Sequence, residues 1–111
     1  MFIAMNRFRI ALGRDAEFAS LWRKPPSRIA DEPGFLSFDL LRGASQEDHT
    51  LYSSHTVWRS RVDFEAWTRS EAFRAAHGGA GGASGIVLGH PVFEGFETIE
   101  DMSLSIREVA A

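Results

Sequence analysis

The sequence predicts an α+β fold of four strands and two helices in the order β-α-β-β-α-β. Three patterns carry that expectation. Residues 2–10 alternate with a period of two, Phe2, Ala4, Asn6, Phe8 and Ile10 on one side and Ile3, Met5, Arg7 and Arg9 on the other. Phe18, Leu21 and Trp22 fall at i, i+3 and i+4, the apolar stripe of an amphipathic helix. Two further strand-like runs, 35–42 and 49–59, are separated by the polar, turn-rich stretch Gly43 to Asp48 and read as a hairpin. The whole is the ferredoxin-like pattern, a four-stranded antiparallel sheet with both helices on one face.

The first strand carries one anomaly. Asn6 is the lone amide in an otherwise apolar row, and a buried polar group left unpaired costs about 1–3 kcal/mol. It must meet a neighbouring backbone group or a ligand. Gly13 then marks a turn, and Asp15 can cap the first helix. Pro25-Pro26 stops that helix near Lys24, because proline lacks the amide donor and restricts the residue before it. Ser27 can cap a further short helix through Ile29 and Ala30, and Asp31 to Gly34 (DEPG) forms a turn. The second strand is expected to carry Leu36, Phe38 and Leu40 on one face.

The third strand ends at Trp58 and Arg59, and Ser60 is suited to N-cap the second helix, with Asp63 as the acidic partner of a capping box. Phe64 and Trp67 lie along that helix. Ser70 can cap a second helical turn, so the helix kinks or restarts there. Phe73 and His77 are four residues apart and point the same way, and Gly78 is placed to close the helix. The tract Gly78 to Gly89 (GGAGGASGIVLG) is too glycine-rich at its start for regular structure. A fourth strand is expected over Val92 to Ile99, followed by a tail with a short apolar run, Met102, Leu104 and Ile106.

Both sheet faces carry apolar groups. Leu51 and Val57 oppose Tyr52 and Trp58 in parity, and Val92 and Phe96 oppose Phe93 and Ile99. The helices cover one face, so the other is expected to meet a second subunit in a homodimer. At 111 residues the chain is expected to make one domain (1–111) with a single modest core. A net charge of -3 with scattered arginines argues against nucleic acid or an anionic membrane as partner. With no cysteine there is no disulfide, thiol nucleophile or thiolate ligand, and a reducing cytoplasm suits such a chain. No leader and no run of membrane-spanning length stands out, so a cytoplasmic protein is expected. Aromatic residues at 12% suggest a pocket or apolar interface beyond the core.

Asn6-Arg7 in the first strand, Thr56-Val57-Trp58-Arg59-Ser60, the Phe64-x-x-Trp67 pair and Ser70-x-x-Phe73-x-Ala75-Ala76-His77 resemble the haem-degrading monooxygenases of the IsdG type. These lie within the antibiotic biosynthesis monooxygenase superfamily. The likeness runs from Phe2 to His77, and its strength is that Asn, Trp and His occur together, in the right elements and order. The resemblance implies a dimeric α+β barrel of ferredoxin-like subunits, with Asn6, Trp67 and His77 as the functional set. It implies that His77 is the axial ligand of haem iron, that Trp67 lies against the porphyrin plane and distorts it, and that Asn6 presents its amide on the distal side. Trp22 and Phe73 would line the haem pocket.

The resemblance further implies haem as both substrate and cofactor, dioxygen, and electrons from an external donor or unidentified reductase. The chain itself holds no flavin or nicotinamide motif. Beyond His77 the likeness weakens, since the glycine tract replaces a longer polar loop. Arg23, Arg74 and His90 therefore all stay open as propionate partners. His49, His55 and His90 show no zinc-ligand spacing, and no phosphate loop or Ser-His-Asp order is present. Ring opening of haem with release of iron is the expected function. A cofactor-free monooxygenase acting on a quinol or polyketide, and a non-enzymatic haem-binding protein, remain as alternatives on the same scaffold.

Overall fold

In a computed structural model the described residues are 1–23, 28–70 and 85–102, with the side chains of Arg28 and Asp101 outside that set. The elements are β1 (Phe2–Ala11), α1 (Asp15–Arg23), β2 (Phe35–Ser45), β3 (His49–Trp58), α2 (Arg61–Thr68) and β4 (Val92–Glu97). Short 3₁₀ turns occupy Arg28–Asp31 and Glu100–Met102. The strands form one antiparallel sheet in the order β2-β3-β1-β4, the ferredoxin-like arrangement.

Several local expectations are corrected. A bulge at Leu36 shifts the β2–β3 register, so Phe35 rather than Leu36 sits opposite Trp58 and packs on it; Leu36 is exposed. Gly43 to Ser45 continue β2 instead of forming loop, after a second irregularity between Arg42 and Ser45. Asp15 is the first helical residue of α1, and its carboxylate accepts a hydrogen bond from Tyr52 at 2.7 Å. Toward the end of the glycine tract the chain docks on β1: Ile86 is buried, its carbonyl accepts from Ala11, and Val87 bridges to Ile10. β4 ends at Glu97, two residues early. The expected Ser27 cap, the helical turn from Glu71 to His77, Gly78 and the apolar pair Leu104 and Ile106 lie outside the described residues.

The second helix begins as its sequence requires. Ser60 is the N-cap in extended backbone, and its Oγ accepts from the Asp63 amide at 3.2 Å. The reciprocal half of the box differs: the Asp63 carboxylate accepts from the Ser60 hydroxyl at 3.1 Å. At the far end of α2 the Ser70 hydroxyl donates to the Trp67 carbonyl at 2.6 Å, and the turn it was expected to cap lies outside the described residues. The turn before β2 docks here as well, where Gly34 has φ +83 and lies against Asp63.

The register puts Phe2, Ala4, Asn6, Phe8 and Ile10 on the helix-covered face, with Thr50, Tyr52, Ser54, Thr56 and Trp58 beside them in β3. The apolar side chains of that face divide into two cores. One gathers Ile10, Phe18, Tyr52 and Ile86 under α1, with Phe8, Leu21 and Leu40 at its margin. The other gathers Phe2, Ala4 and Trp58 under α2, with Phe35, Phe64 and Trp67 against it. A seam runs between them.

Candidate functional site

Asn6 sits in that seam. Along β1 it lies between Ala4 of one core and Phe8 at the margin of the other, and across the sheet it faces Ser54 and Phe93. It is half-buried, and its carboxamide meets no hydrogen-bond partner among the described residues. Ser54 and Thr56, at 7% exposure each, continue the polar floor where either core alone would place carbon. An apolar row interrupted by an amide that no described residue bonds is a feature that packing does not require.

Aromatic rings border this floor on both sides. From α1, Trp22 stacks on Phe38 at 5.6 Å and meets Phe8 edge-on at 5.7 Å, while remaining 37% exposed. Its indole is thus a rim group with an open side. From α2, Phe64 stacks almost parallel on Phe93 of β4, 5.6 Å apart and 8° from coplanar. Trp67, one helical turn beyond Phe64, lies 5.5 Å from Trp58 at a 31° tilt. Of the five expected site residues, Asn6, Trp22 and Trp67 therefore stand on the helix-covered face. Phe73 and His77 lie outside the described residues.

The sequence pattern did not single out Thr56, Phe38 or Phe93 for the site. Parity could have found Phe38 and Phe93, once strand order was known. Thr56 shows itself through its bonds, accepting from Trp58 Nε1 at 3.0 Å and donating to the Ala4 carbonyl at 3.4 Å.

Other features fall away from the seam. Arg23 lines a groove of about 450 Å³ with Asp15, Ala19, Arg42 and Tyr52, on a different flank of α1 from Trp22. Burial first, and then the bond to Asp15, holds the Tyr52 phenol above its ordinary pKa. On the opposite sheet face a shallow hollow of about 240 Å³ is lined by Met5, Arg7, Leu41, Leu51 and Ser53. His49 pairs with Asp48 at 2.6 Å, a bond that holds the Asp48 carboxyl below its usual range. His90 is exposed and His55 half-buried on the open face. Among the described residues no three side chains cluster as metal ligands, and no helix is long and apolar enough to cross a membrane.

Residues 1–79, and with them β1 through α2, match the antibiotic biosynthesis monooxygenase family. The chain belongs to that family. Among antibiotic biosynthesis monooxygenases, a relative from Shouchella clausii bears the name haem-degrading monooxygenase; it is 32% identical over 92 residues, 83% of this chain and 85% of the relative. The haem-degrader MhuD of Mycobacterium tuberculosis, solved with two haems in its active site, is 26% identical with a TM-score of 0.71, over 96% of this chain and all of that one. SnoaB of Streptomyces nogalater, a cofactor-independent oxygenase, shares the fold at 17% identity and a TM-score of 0.60, covering 99% of this chain and 98% of its own. The fold thus serves oxygenases that differ in their need for a cofactor, and fold alone does not choose between them.

Proposed function

We propose that this family member degrades haem, opening the porphyrin ring with dioxygen and external electrons and releasing iron. The observation that carries this reading is the unpartnered carboxamide of Asn6, set in a seam walled by flat aromatic rings. A planar macrocycle suits aromatic walls, and a lone amide suits a ligand with an acceptor or donor held near its centre. The residues therefore fit haem. The relationship to proteins named haem-degrading monooxygenases supports the same choice.

Bound haem, as substrate and oxygen-activating group at once, supplies the redox chemistry. The chain supplies position. His77 is proposed as the residue that would hold the haem iron, its neutral imidazole being an ordinary donor to it. Trp67 is proposed to press on the macrocycle from α2, and Asn6 to offer a hydrogen bond from the sheet. Trp22 is proposed to complete the walls and exclude water, and Phe73 is proposed for the same role. No redox motif lies in the sequence, so electrons come from an external donor, a reductase in the cell.

The subunit is proposed to work as a homodimer in the cytoplasm. Val92, Phe96 and Leu41 are 58%, 46% and 42% exposed on the open sheet face, beside half-buried Ile3, Met5, Leu51 and Val57. Such a face is more apolar than a free surface usually is. The Arg7–Glu94 ion pair at 2.8 Å adds a polar patch between β1 and β4 on this face.

Titration of the apo-protein with hemin, followed by ascorbate in air, tests the function. A saturable Soret shift that then bleaches and delivers chelatable iron, and is lost in His77→Ala, is the expected result. Binding without bleaching would make the protein a haem carrier. No Soret shift at any hemin concentration would overturn the haem reading in favour of a cofactor-free oxygenase.

A further inference from the structure

We infer that Thr56 is a positioning residue for Trp67, acting through the indole of Trp58. The inference rests on the reading of Trp67 as the ring that meets the haem plane. Trp58 is fully buried and Thr56 nearly so, at 7%. An indole carries one donor and no acceptor, and here that donor goes to Thr56 Oγ1 at 3.0 Å. The same hydroxyl donates to the Ala4 carbonyl of β1 at 3.4 Å, so its own proton is committed too. Trp58 cannot turn about its side-chain torsions without leaving its N–H unpaired in a dry core.

Trp67 packs on that fixed ring. α2 has eight residues and none of them is fully buried, so depth does not hold it. Ring contacts do. Trp58 lies 5.5 Å from Trp67 and 5.8 Å from Phe64, the two aromatic side chains of α2. The hydroxyl of Thr56 thereby refers Trp67 to the backbone of β1 at Ala4, two residues from Asn6 on the same face. Volume alone does not ask for threonine at this place. Valine has nearly its shape and an equal liking for strands, yet offers no acceptor.

Thr56→Val and Thr56→Ser distinguish the hydroxyl from the shape. In the apo-protein the Trp58–Trp67 pair should give an ultraviolet CD exciton couplet, identified by its loss in Trp67→Phe. Thr56→Val is expected to lose most of that couplet and Thr56→Ser to retain it. In the hemin-loaded protein, Thr56→Val should bleach roughly tenfold more slowly, as when an outer partner of a metal site is removed. Its hemin affinity should stay within about threefold, and Thr56→Ser should restore the rate. In a Trp58→Phe background, where no indole donor remains, Thr56→Val should have no further effect. A couplet and rate unchanged by Thr56→Val would overturn the inference, and so would failure of Thr56→Ser to rescue. If the wild type gives no Soret shift, the haem reading falls, and the apo couplet alone still decides the positioning role.

Discussion

Alanine at position 34 measures how firmly the turn before β2 is wedged against the start of α2. Gly34 has φ +83, and a Cβ there would lie 2.2 Å from Asp63 Oδ2 and 2.5 Å from Asp63 Cβ. Gly13 is a control built into the same chain, with φ +77 and nothing within 4 Å of its would-be Cβ. The left-handed backbone costs an L-residue about 1–2 kcal/mol at either site. At Gly34 there is more. Rotating the Asp63 carboxylate away does not clear the clash, because Asp63 Cβ is fixed by the helix backbone. Either the turn opens or α2 shifts, an overpacking cost of about 1–3 kcal/mol. Moving Asp63 also strains the Ser60 cap, for which about 1 kcal/mol is typical. Gly34→Ala should therefore lose about 3–6 kcal/mol against about 1–2 for Gly13→Ala, read by urea unfolding through tryptophan fluorescence. Asparagine, which tolerates φ > 0, should recover much of the loss at 13 and little at 34. Equal losses for the two alanine variants would refute the reasoning.

Gly95 faces the helices from β4, and a Cβ there would stand 2.6 Å from Phe2 Cζ and 3.3 Å from Phe93 Cζ. Gly95→Ala should lower stability by about 1–3 kcal/mol in thermal melts, because Phe2 is too deeply buried to move aside freely. Tyr52→Phe should cost about 1–2 kcal/mol near neutral pH through loss of the bond to Asp15. The raised phenol pKa keeps the proton on the folded chain where the unfolded chain sheds it, near pH ~10. This contribution is whole below pH ~10 and fades as pH climbs through the folded-state value, so Tyr52→Phe should show a shallower alkaline loss than the wild type. Asn6→Leu should leave stability unchanged or raise it by about 1 kcal/mol while removing ascorbate-driven bleaching, since its amide has no partner to lose. A large loss of stability in that variant would assign Asn6 to packing instead.

The strand and helix order was legible in the sequence because period-two and period-3.6 patterns are local, and so was the Ser60 cap. What escaped was set by contacts from far along the chain. At the β2 bulge Trp58 is flanked by Phe2 on one side and Phe35 on the other, a pairing that no local window reveals. Ile86 reads as part of a glycine tract until the end of β1 is seen to offer it a hydrogen bond and a place in the core under α1. Asp15 looks like a cap until Tyr52, 37 residues away, takes its carboxylate. For the site, parity alone set Asn6 in an apolar row. The resemblance, not the pattern, assigned roles to Trp67 and His77. Neither showed that the row is split between two cores at Asn6, nor that Thr56 joins Trp58 to β1.

The division of the interior into two bodies has a consequence for how this fold changes over time. Each helix carries its own share of cohesion, and strands β1 and β3 run through both shares like common beams. The positions where the shares meet belong to neither. A substitution at Asn6 is expected to alter what the molecule recognises without weakening either body, whereas one at Ala4 or Phe8, its neighbours on the same face of β1, disturbs a core. New chemistry can thus arise by neutral drift at a few sites while the frame persists. Oxygenases with and without a cofactor on one backbone are what such a partition would leave behind.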